Sequence, residues 1–534
     1  MSILDYFSLP SEPRKSQVTA LNWLERQTAK YLIIEAPVGI GKSALGVTYA
    51  QYLNGGRDAA DASFILTPQK ILQAQYEDAY KNSKTVKVAS LYGKGNYQCV
   101  SRNTTCDIGS IMKPKCKSCP YELAKSVAKV RPHVVLNYKL ALLLMGFTTV
   151  FKNPRKLMIF DECHNMEQEL TDFDAVIISK KRCEKYKFPY KEFSDVGLAF
   201  EWLKDQYLEA VDSKIEDLAE QYDSIMDGTK SALTDADVKN VRELNSLIEH
   251  SATIGALCSD ISTKQAANHL VMVKDPTFFK FKRLTAATSF AKVFEPMAER
   301  FLFMSSTILD RDQFCKDLGI EPDETAFLSL DSEFDVEHRP VFYIPVMKMN
   351  ASWKDEENQD GRDQMIDTIK KIVNGHHDGE SGIIHTGNFA ISKWLTKELE
   401  HAIPHDIYHH NPESGDDRGR IIAAFQQAKK PGILISPSIT EGLDLTGDLA
   451  RFAIISKVAF PYLGDAWIKR KMELSQKWYM RQTLIDIIQG CGRIVRSNDD
   501  WGSVYILDSS WTYLFNQSKR MIPKWWLEAY QQIT

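Results

Sequence analysis

The apolar run Tyr31-Leu-Ile-Ile-Glu35 feeds directly into Ala36-Pro37-Val38-Gly39-Ile40-Gly41-Lys42-Ser43 and then into the helix-like stretch Ala44–Leu53. Strand, glycine-bearing loop and helix in that order make a phosphate-binding loop, the mark of an α/β sheet. Gly39 and Gly41 let backbone N–H groups approach phosphate oxygens, and the helix N-terminus adds a favourable dipole. Lys42 is placed to bridge β- and γ-phosphates, and the Ser43 hydroxyl to ligate Mg²⁺. Ala36 stands where the usual pattern has glycine.

Further apolar runs bounded by turn residues recur at Phe64–Leu66, Val134–Leu136, Leu157–Phe160 and Phe301–Met304, with helical patterns between them. A second series follows at Gly382–His385, Gly432–Ser436, Phe452–Ser456 and Ser503–Leu507. Alternation of this kind indicates two α/β domains built on parallel sheets. A different texture interrupts the first. Leu208, Val211, Ile215, Leu218, Tyr222 and Ile225 step by three and four, the seam of a helix. After Asp227-Gly228, Thr234 or Asp235 is placed to cap a second helix with Val238, Val241, Leu244 and Ile248 on one face. Residues 171–284 therefore read as a helical insertion in the first α/β domain, and the acidic stretch Trp353–Arg362 as a mobile loop.

Hydrophobic residues make up 44% and charged residues 25% of the 534, an ordinary globular balance that suggests about three or four domains. The longest apolar stretch, Leu140 to Phe147, is far short of a membrane span, and Met1-Ser2-Ile3-Leu4-Asp5 lacks the marks of a secretory signal. The expectation is an intracellular protein with no membrane partner.

Net charge is −4, but it is unevenly spread. From Lys81 to Val135 there are eleven Lys/Arg and only Asp107 and Glu122 as acids; from Asp195 to Asp260 there are fifteen acids against five bases. A basic block in a mildly acidic chain suits phosphate contact, although a charge run alone is more often a solvated face. Inside that block lie Cys99, Cys106, Cys116 and Cys119, spaced C-x6-C-x9-C-x2-C. In an intracellular chain four such thiols point to metal ligation, by zinc or by an iron–sulfur cluster; spacing does not choose between them.

Leu157-Met-Ile-Phe160 delivers Asp161 and Glu162 to the carboxyl end of a strand, where parallel sheets bind ligands. Asp161 is suited to hold Mg²⁺ and Glu162 to polarise an attacking water. In Gln489-Gly-Cys-Gly-Arg493-Ile-Val-Arg496, a helix would put Gln489, Arg493 and Arg496 on one face, able to reach a triphosphate from the second domain. A surface salt-bridge face is the competing reading of that segment alone.

With these elements in order, the chain resembles the superfamily 2 iron–sulfur DNA helicases of the XPD/DinG type over nearly its whole length. Arg14-Lys-Ser-Gln17 resembles the adenine-contacting Q element, Glu35 to Ser43 motif I, and Leu66-Thr-Pro68 motif Ia. Gly93 to Cys99 and Asn137-Tyr138 resemble the segments leading into and out of the cluster domain. Asp161-Glu-Cys-His164 resembles the DEAH box, Ser305-Ser-Thr307 motif III, His385-Thr-Gly387 motif IV, Ser438 to Leu445 motif V, and Gln489 to Arg496 motif VI.

The resemblance implies two RecA-like domains that hydrolyse ATP between them, with Arg14, Gln17, Gly39, Gly41, Lys42, Ser43 and Asp444 binding it and Asp161, Glu162, Gln489, Arg493 and Arg496 acting on it. It also implies 5′-to-3′ translocation on single-stranded DNA, unwinding of forked DNA, and a [4Fe–4S] cluster on Cys99, Cys106, Cys116 and Cys119. The implied divisions are a first motor domain in three parts (1–90, 135–170, 285–334), a cluster domain (91–134), a helical arch (171–284) and a second motor domain (335–534). A monomer in the cytoplasm or at the nucleoid is expected, with no nuclease domain ahead of motif I.

Four positions depart from the family pattern: Val38 and Ser43 where Thr is frequent, Cys163 for Ala, and Ser306 for Ala. Cys163 reads as a small packing residue, and Ser306 bears on coupling between hydrolysis and DNA. Tyr97 and Tyr121 are candidates for stacking on bases or for packing around the cluster. The competing functions are a DNA-stimulated ATPase that remodels protein–DNA complexes without processive unwinding, and a zinc-bearing nucleic-acid-binding scaffold.

Overall fold

The computed structural model describes residues 1–534 except 58, 102–103, 111–115, 224–233, 411–417, 438–444, 446, 493, 496, 498 and 534. In the first part of the chain the strands are β1 (Tyr31–Glu35), β2 (Ser63–Thr67), β3 (Val88–Ser90), β4 (His133–Asn137), β5 (Arg155–Asp161), β6 (Val176–Ser179), β7 (Leu270–Asp275), β8 (Phe278–Arg283), β9 (Ala298–Ser305) and β10 (Thr325–Ser329). Seven of them form a parallel sheet in the order β10-β1-β9-β5-β2-β4-β3. Then come β11 (Val341–Met347), β12 (Gly382–His385), β13 (Asp406–His409), β14 (Gly432–Ser436), β15 (Phe452–Ile455), β16 (Ser503–Asp508) and β17 (Tyr530–Gln532). They build a second parallel sheet, β13-β14-β12-β15-β16-β11-β17. The expected pair of α/β domains is thus present.

Burial on both faces explains the continuous apolar runs. Every residue of β1 and β2 is buried. Ile34, Ile65, Ile159 and Leu302 join one core with the helices Lys15–Arg26 and Lys42–Leu53, while Phe64, Leu66, Phe160 and Phe303 join the core on the other face. The register pairs Glu35 with Ser305 and Asp161 with Met304. The phosphate loop, the adjacent carboxylates and Ser305-Ser-Thr307 therefore leave the sheet at one edge.

Between β5 and β9 the chain departs from the sheet. The Leu208–Gln221 helix packs on the Asp235–Asp260 helix, which is capped by a reciprocal pair: Asp237 N–H donates to Thr234 Oγ1 at 3.2 Å and Thr234 N–H to Asp237 Oδ2 at 2.8 Å. Val211, Leu218, Val241 and Leu244 are buried as their spacing demands, and Ile225 lies outside the described residues. Ile248 corrects the expected face: it is 44% exposed and Leu247 is buried instead, because a step of three from Leu244 keeps closer to the core. Nor is the insertion purely helical. β6, β8 and β7 form an antiparallel sheet whose Phe279 and Phe281 share a core with Phe200, Trp202 and Tyr207.

The stretch Trp353–Arg362 is ordered rather than a loose loop. Two 3₁₀ turns, Ala351–Lys354 and Glu356–Asn358, lead into the Gln359–Lys371 helix. Trp353 is buried 5.1 Å from Trp394, and Arg362 Nη1 donates to the carbonyls of Trp353 at 2.7 Å and Asp355 at 2.9 Å. Acidic composition misleads here because one tryptophan and one arginine close the turn. Among the described residues no helix is long and apolar enough to cross a membrane.

Candidate nucleotide site between the two sheets

Gly39 and Gly41 have φ of 86° and 85°, a left-handed backbone that favours glycine. At Gly41 a Cβ would also lie 2.6 Å from Gln17 Nε2, so the amide of Gln17 sits directly on the loop. Gln17 is itself held by Arg14, whose N–H donates to Gln17 Oε1 at 2.8 Å, and the Arg14 guanidinium donates to the Gly39 carbonyl. Arg14, Gln17, Gly39 and Gly41 are thereby brought together. Lys42 is buried; its Nζ donates to the Ala36 carbonyl at 3.3 Å and lies 3.7 Å from Glu162 Oε1.

Asp161 is buried at the end of β5. Its Oδ2 accepts from the Tyr76 hydroxyl at 3.0 Å and its Oδ1 from Glu162 N–H at 3.2 Å. Burial, followed by the neighbouring Glu162 charge, pushes its carboxyl up to about 6. The Tyr76 phenol thus holds one of the two expected Mg²⁺ ligands. Sequence reasoning missed Tyr76, since nothing in the spacing of the Lys70–Tyr80 helix marks it.

Glu162 has φ of 49°, an uncommon left-handed conformation for a non-glycine residue and of the kind found at functional sites. That turn aims its carboxylate at Lys42 on one side and, at 3.4 Å, His164 Nδ1 on the other. Cys163 is fully buried and its thiol is pushed well up, first by desolvation and then by Glu162, which fits an inert packing residue.

From the second sheet, Gln489 reaches across. It is buried at the end of the Gln476–Cys491 helix, and its Nε2 donates to Ser306 Oγ and Thr307 Oγ1, both at 2.9 Å, 3.5 Å from His164 Nδ1. Gly492 lets the chain pass the phosphate loop: a Cβ there would lie 3.0 Å from Val38 Cγ2. The helix ends at Cys491 with Gly492 as its cap. Arg493, Arg496 and Asp444 lie outside the described residues.

A second contact between the sheets was not legible in the motifs. On the first side are Glu167, in the Met166–Phe173 helix just after His164, and Asp317, in the Arg311–Leu318 helix. On the other are Lys471, Trp478 and Arg481. Lys471 Nζ donates to Glu167 Oε1 and, at 3.1 Å, to Asp317 Oδ1; Trp478 Nε1 donates to Glu167 Oε2 at 2.7 Å; Arg481 Nε donates to the Ile308 carbonyl at 2.8 Å. All five residues are buried, and removing one partner from such a cluster costs about 3–5 kcal/mol.

The cysteines lie in a side lobe between β3 and β4. Cys106 Sγ is 3.8 Å from Cys119 Sγ, and Cys116 Sγ accepts from Ser101 Oγ at 3.0 Å. The Ser101 bond draws the Cys116 thiol down, whereas burial raises that of Cys106. Among the described residues no three His, Cys, Asp or Glu side chains close on a common point as metal ligands do. Tyr121 is buried 5.6 Å from Tyr97, so packing rather than base stacking occupies it. Arg242 of the insertion reaches this lobe at Asp107, 3.6 Å away.

A phosphate loop on one sheet, closed over by a glutamine from a like sheet, makes a cleft suited to a nucleoside triphosphate between two RecA-like domains. Two family models match: one described as type III restriction enzyme, res subunit, over residues 10–189, and one described as helicase C-terminal domain, over residues 382–529. The ATP-dependent DNA helicase DinG of Photobacterium profundum is 25% identical over 229 residues, 39% of this chain and 31% of that one. The ATP-dependent DNA helicase YoaA of Escherichia coli is 23% identical over 237 residues, 42% and 35% of the two chains. The chain thus spans about a third of the length of these curated relatives.

Among solved structures, an XPD helicase superposes with a TM-score of 0.58 at 14% identity, covering 97% of this chain and 99% of that one. The Xpd4 structure of S. tokodaii gives 0.54 at 14% identity, covering 98% and 100%. In fold and motif order the chain is similar to helicases of the DinG/XPD type.

Proposed function

We propose that this protein is an ATP-dependent DNA helicase that moves 5′-to-3′ on single-stranded DNA and unwinds forked duplexes. The observation that carries the reading is Gln489 of the second domain bonded to Ser306 and Thr307 beside Lys42, Asp161 and Glu162, which supports hydrolysis that needs both domains. The base of ATP lies beside Arg14 and Gln17 and its phosphates against Gly39, Gly41, Lys42 and Ser43, with Asp444 completing the nucleotide contacts from the second domain. Ser43 and Asp161, the latter held by Tyr76, would hold Mg²⁺, which neutralises phosphate charge when bound.

Glu162 takes the proton of the attacking water, Gln489 orients that water, and Arg493 and Arg496 stabilise the charge that develops. Closing and opening the cleft moves the DNA strand held across the two domains.

Residues 91–134 form the cluster domain in this reading and 171–284 the arch; the Arg242–Asp107 contact supports their meeting around the strand. Four thiols in one lobe, two of them in contact, suit thiolate ligation, and Cys99, Cys106, Cys116 and Cys119 would hold a [4Fe–4S] cluster. Such a group orders a segment too short to build its own core. The basic residues around it supply the DNA contacts, and the protein works as a monomer in the cytoplasm or at the nucleoid.

The test is unwinding of 5′-tailed and 3′-tailed duplexes by anaerobically purified protein, with iron and zinc measured in the same sample. The expected result is separation of the 5′-tailed duplex only, with about four irons per chain. Preference for the 3′ tail overturns the polarity, ATP hydrolysis without strand separation favours the translocase reading, and zinc in place of iron reassigns the cysteines.

A further inference from the structure

The insertion leaves the chain from the first sheet but rests on the second. Val271, Val273 and Leu284 are buried in the second domain's core with Trp467 and Trp478, and β7 packs on the Ala466–Leu474 helix. Trp467 Nε1 donates to the Arg283 carbonyl at 2.7 Å, and Lys282 Nζ stands 4.0 Å from the Trp467 ring centroid. One helical turn on, at i+4 and on the same face, Lys471 of this helix enters the buried pair Glu167 and Asp317. Glu167 lies three residues after His164, and Lys282 also pairs at 2.7 Å with Asp172 of the Met166–Phe173 helix. Nine residues before Gln489, on the next helix, Met480 precedes Arg481, whose bond to the Ile308 carbonyl ties that helix to the segment following Thr307.

We propose that the Ala466–Leu474 helix is the transmission between the nucleotide cleft and the insertion: Lys471 grips the helix that follows Glu162, Trp467 grips β8, and a change in cleft closure is passed to the insertion through the turn between them. The proposal rests on the reading that ATP closes this cleft. Neither residue reaches the phosphate loop; both are positioning residues. Two sites joined through one rigid element need that element to have two arrangements, and both ends of this helix are held by groups that a domain movement must displace or carry along. The insertion's contact with the cysteine lobe at Asp107 and Arg242 would then be set from the cleft, although the two lie in different parts of the fold.

The experiment is amide hydrogen exchange on the full chain with and without a non-hydrolysable ATP analogue, in wild type, Lys471→Met and Trp467→Phe. Trp467→Phe keeps a smaller aromatic ring in the core, removes the N–H donor and leaves every charge in place, so it serves if the charge change unfolds the junction. In wild type the analogue should protect residues 36–43 and change exchange across β7 and β8 by at least about fivefold. In Lys471→Met and Trp467→Phe the protection at 36–43 should persist while the β7–β8 response falls toward none. A β7–β8 response as large in both variants as in wild type overturns the transmission. So does protection at 36–43 in wild type with β7 and β8 unmoved. Absence of protection at 36–43 in wild type overturns the nucleotide site itself and is thereby distinguishable from failure of the transmission alone.

Discussion

Each sheet carries a buried aspartate at the carboxyl end of an inner strand, and the two are used differently. Asp508, ending β16, accepts from the N–H groups of Met349 at 3.1 Å, Ser510 at 2.8 Å and Val458 at 2.9 Å. Three loops of its own domain hang on it. Asp161, ending β5, accepts from one phenol and one neighbouring N–H, with Lys42 and Ser43 close by. Burial raises both carboxyls. What separates them is how far backbone donors already satisfy the oxygens: Asp508 fastens a fold, and Asp161 keeps acceptor capacity for a ligand. In the proposed reading a repeated architecture keeps its chemistry on one sheet and uses the other as the lever that completes it.

Substitutions sharpen or break this contrast. Lys42→Ala should lower ATP turnover by about a thousandfold or more with an unchanged melting curve. Turnover near wild type would remove Lys42 from the phosphate site. Glu162→Gln should cut kcat by about 10²–10³ and leave ATP binding intact, as steady-state kinetics and nucleotide titration would show. Free turnover in that variant would place the base elsewhere.

Asp508→Ala should act on the fold, with a loss of about 3 kcal/mol in denaturant unfolding from the stranded N–H groups. If it instead spared stability and mimicked Glu162→Gln, the division of labour between the sheets would be wrong. Cys116→Ser should lower bound metal and strand separation while nucleotide affinity stays within about twofold. Unaltered metal content would take Cys116 out of the ligand set.

The parts legible in the sequence were those where one local rule decides the outcome. Inner strands such as β1, β2, β5 and β14 are buried at nearly every position, so an apolar run marks them. β10 and β17 are edge strands in which every residue is at least partly exposed, so no run buried on both faces marks them. β11 carries Pro345, and its pairing with β16 shifts register between Tyr343 and Met347, a place where a strand tolerates proline. The sheet within the insertion went unread because β7 and β8 sit far from β6 in sequence, on either side of two long helices.

The phosphate loop and the adjacent carboxylates were legible for the same reason as the inner strands. Gln17 against Gly41, Tyr76 on Asp161, and Lys471 between Glu167 and Asp317 were not: each joins residues whose separation no periodicity records.

Gln489 bears most directly on the central claim, that ATP is turned over only where the second domain meets the first. The measurement is ATP hydrolysis with and without single-stranded DNA, in wild type and Gln489→Ala, with ATP binding measured alongside. Single strands should stimulate the wild type, and Gln489→Ala should bind ATP normally yet lose at least about tenfold of the stimulated rate. Wild-type stimulation in Gln489→Ala would mean that the first domain hydrolyses alone, and would contradict the account.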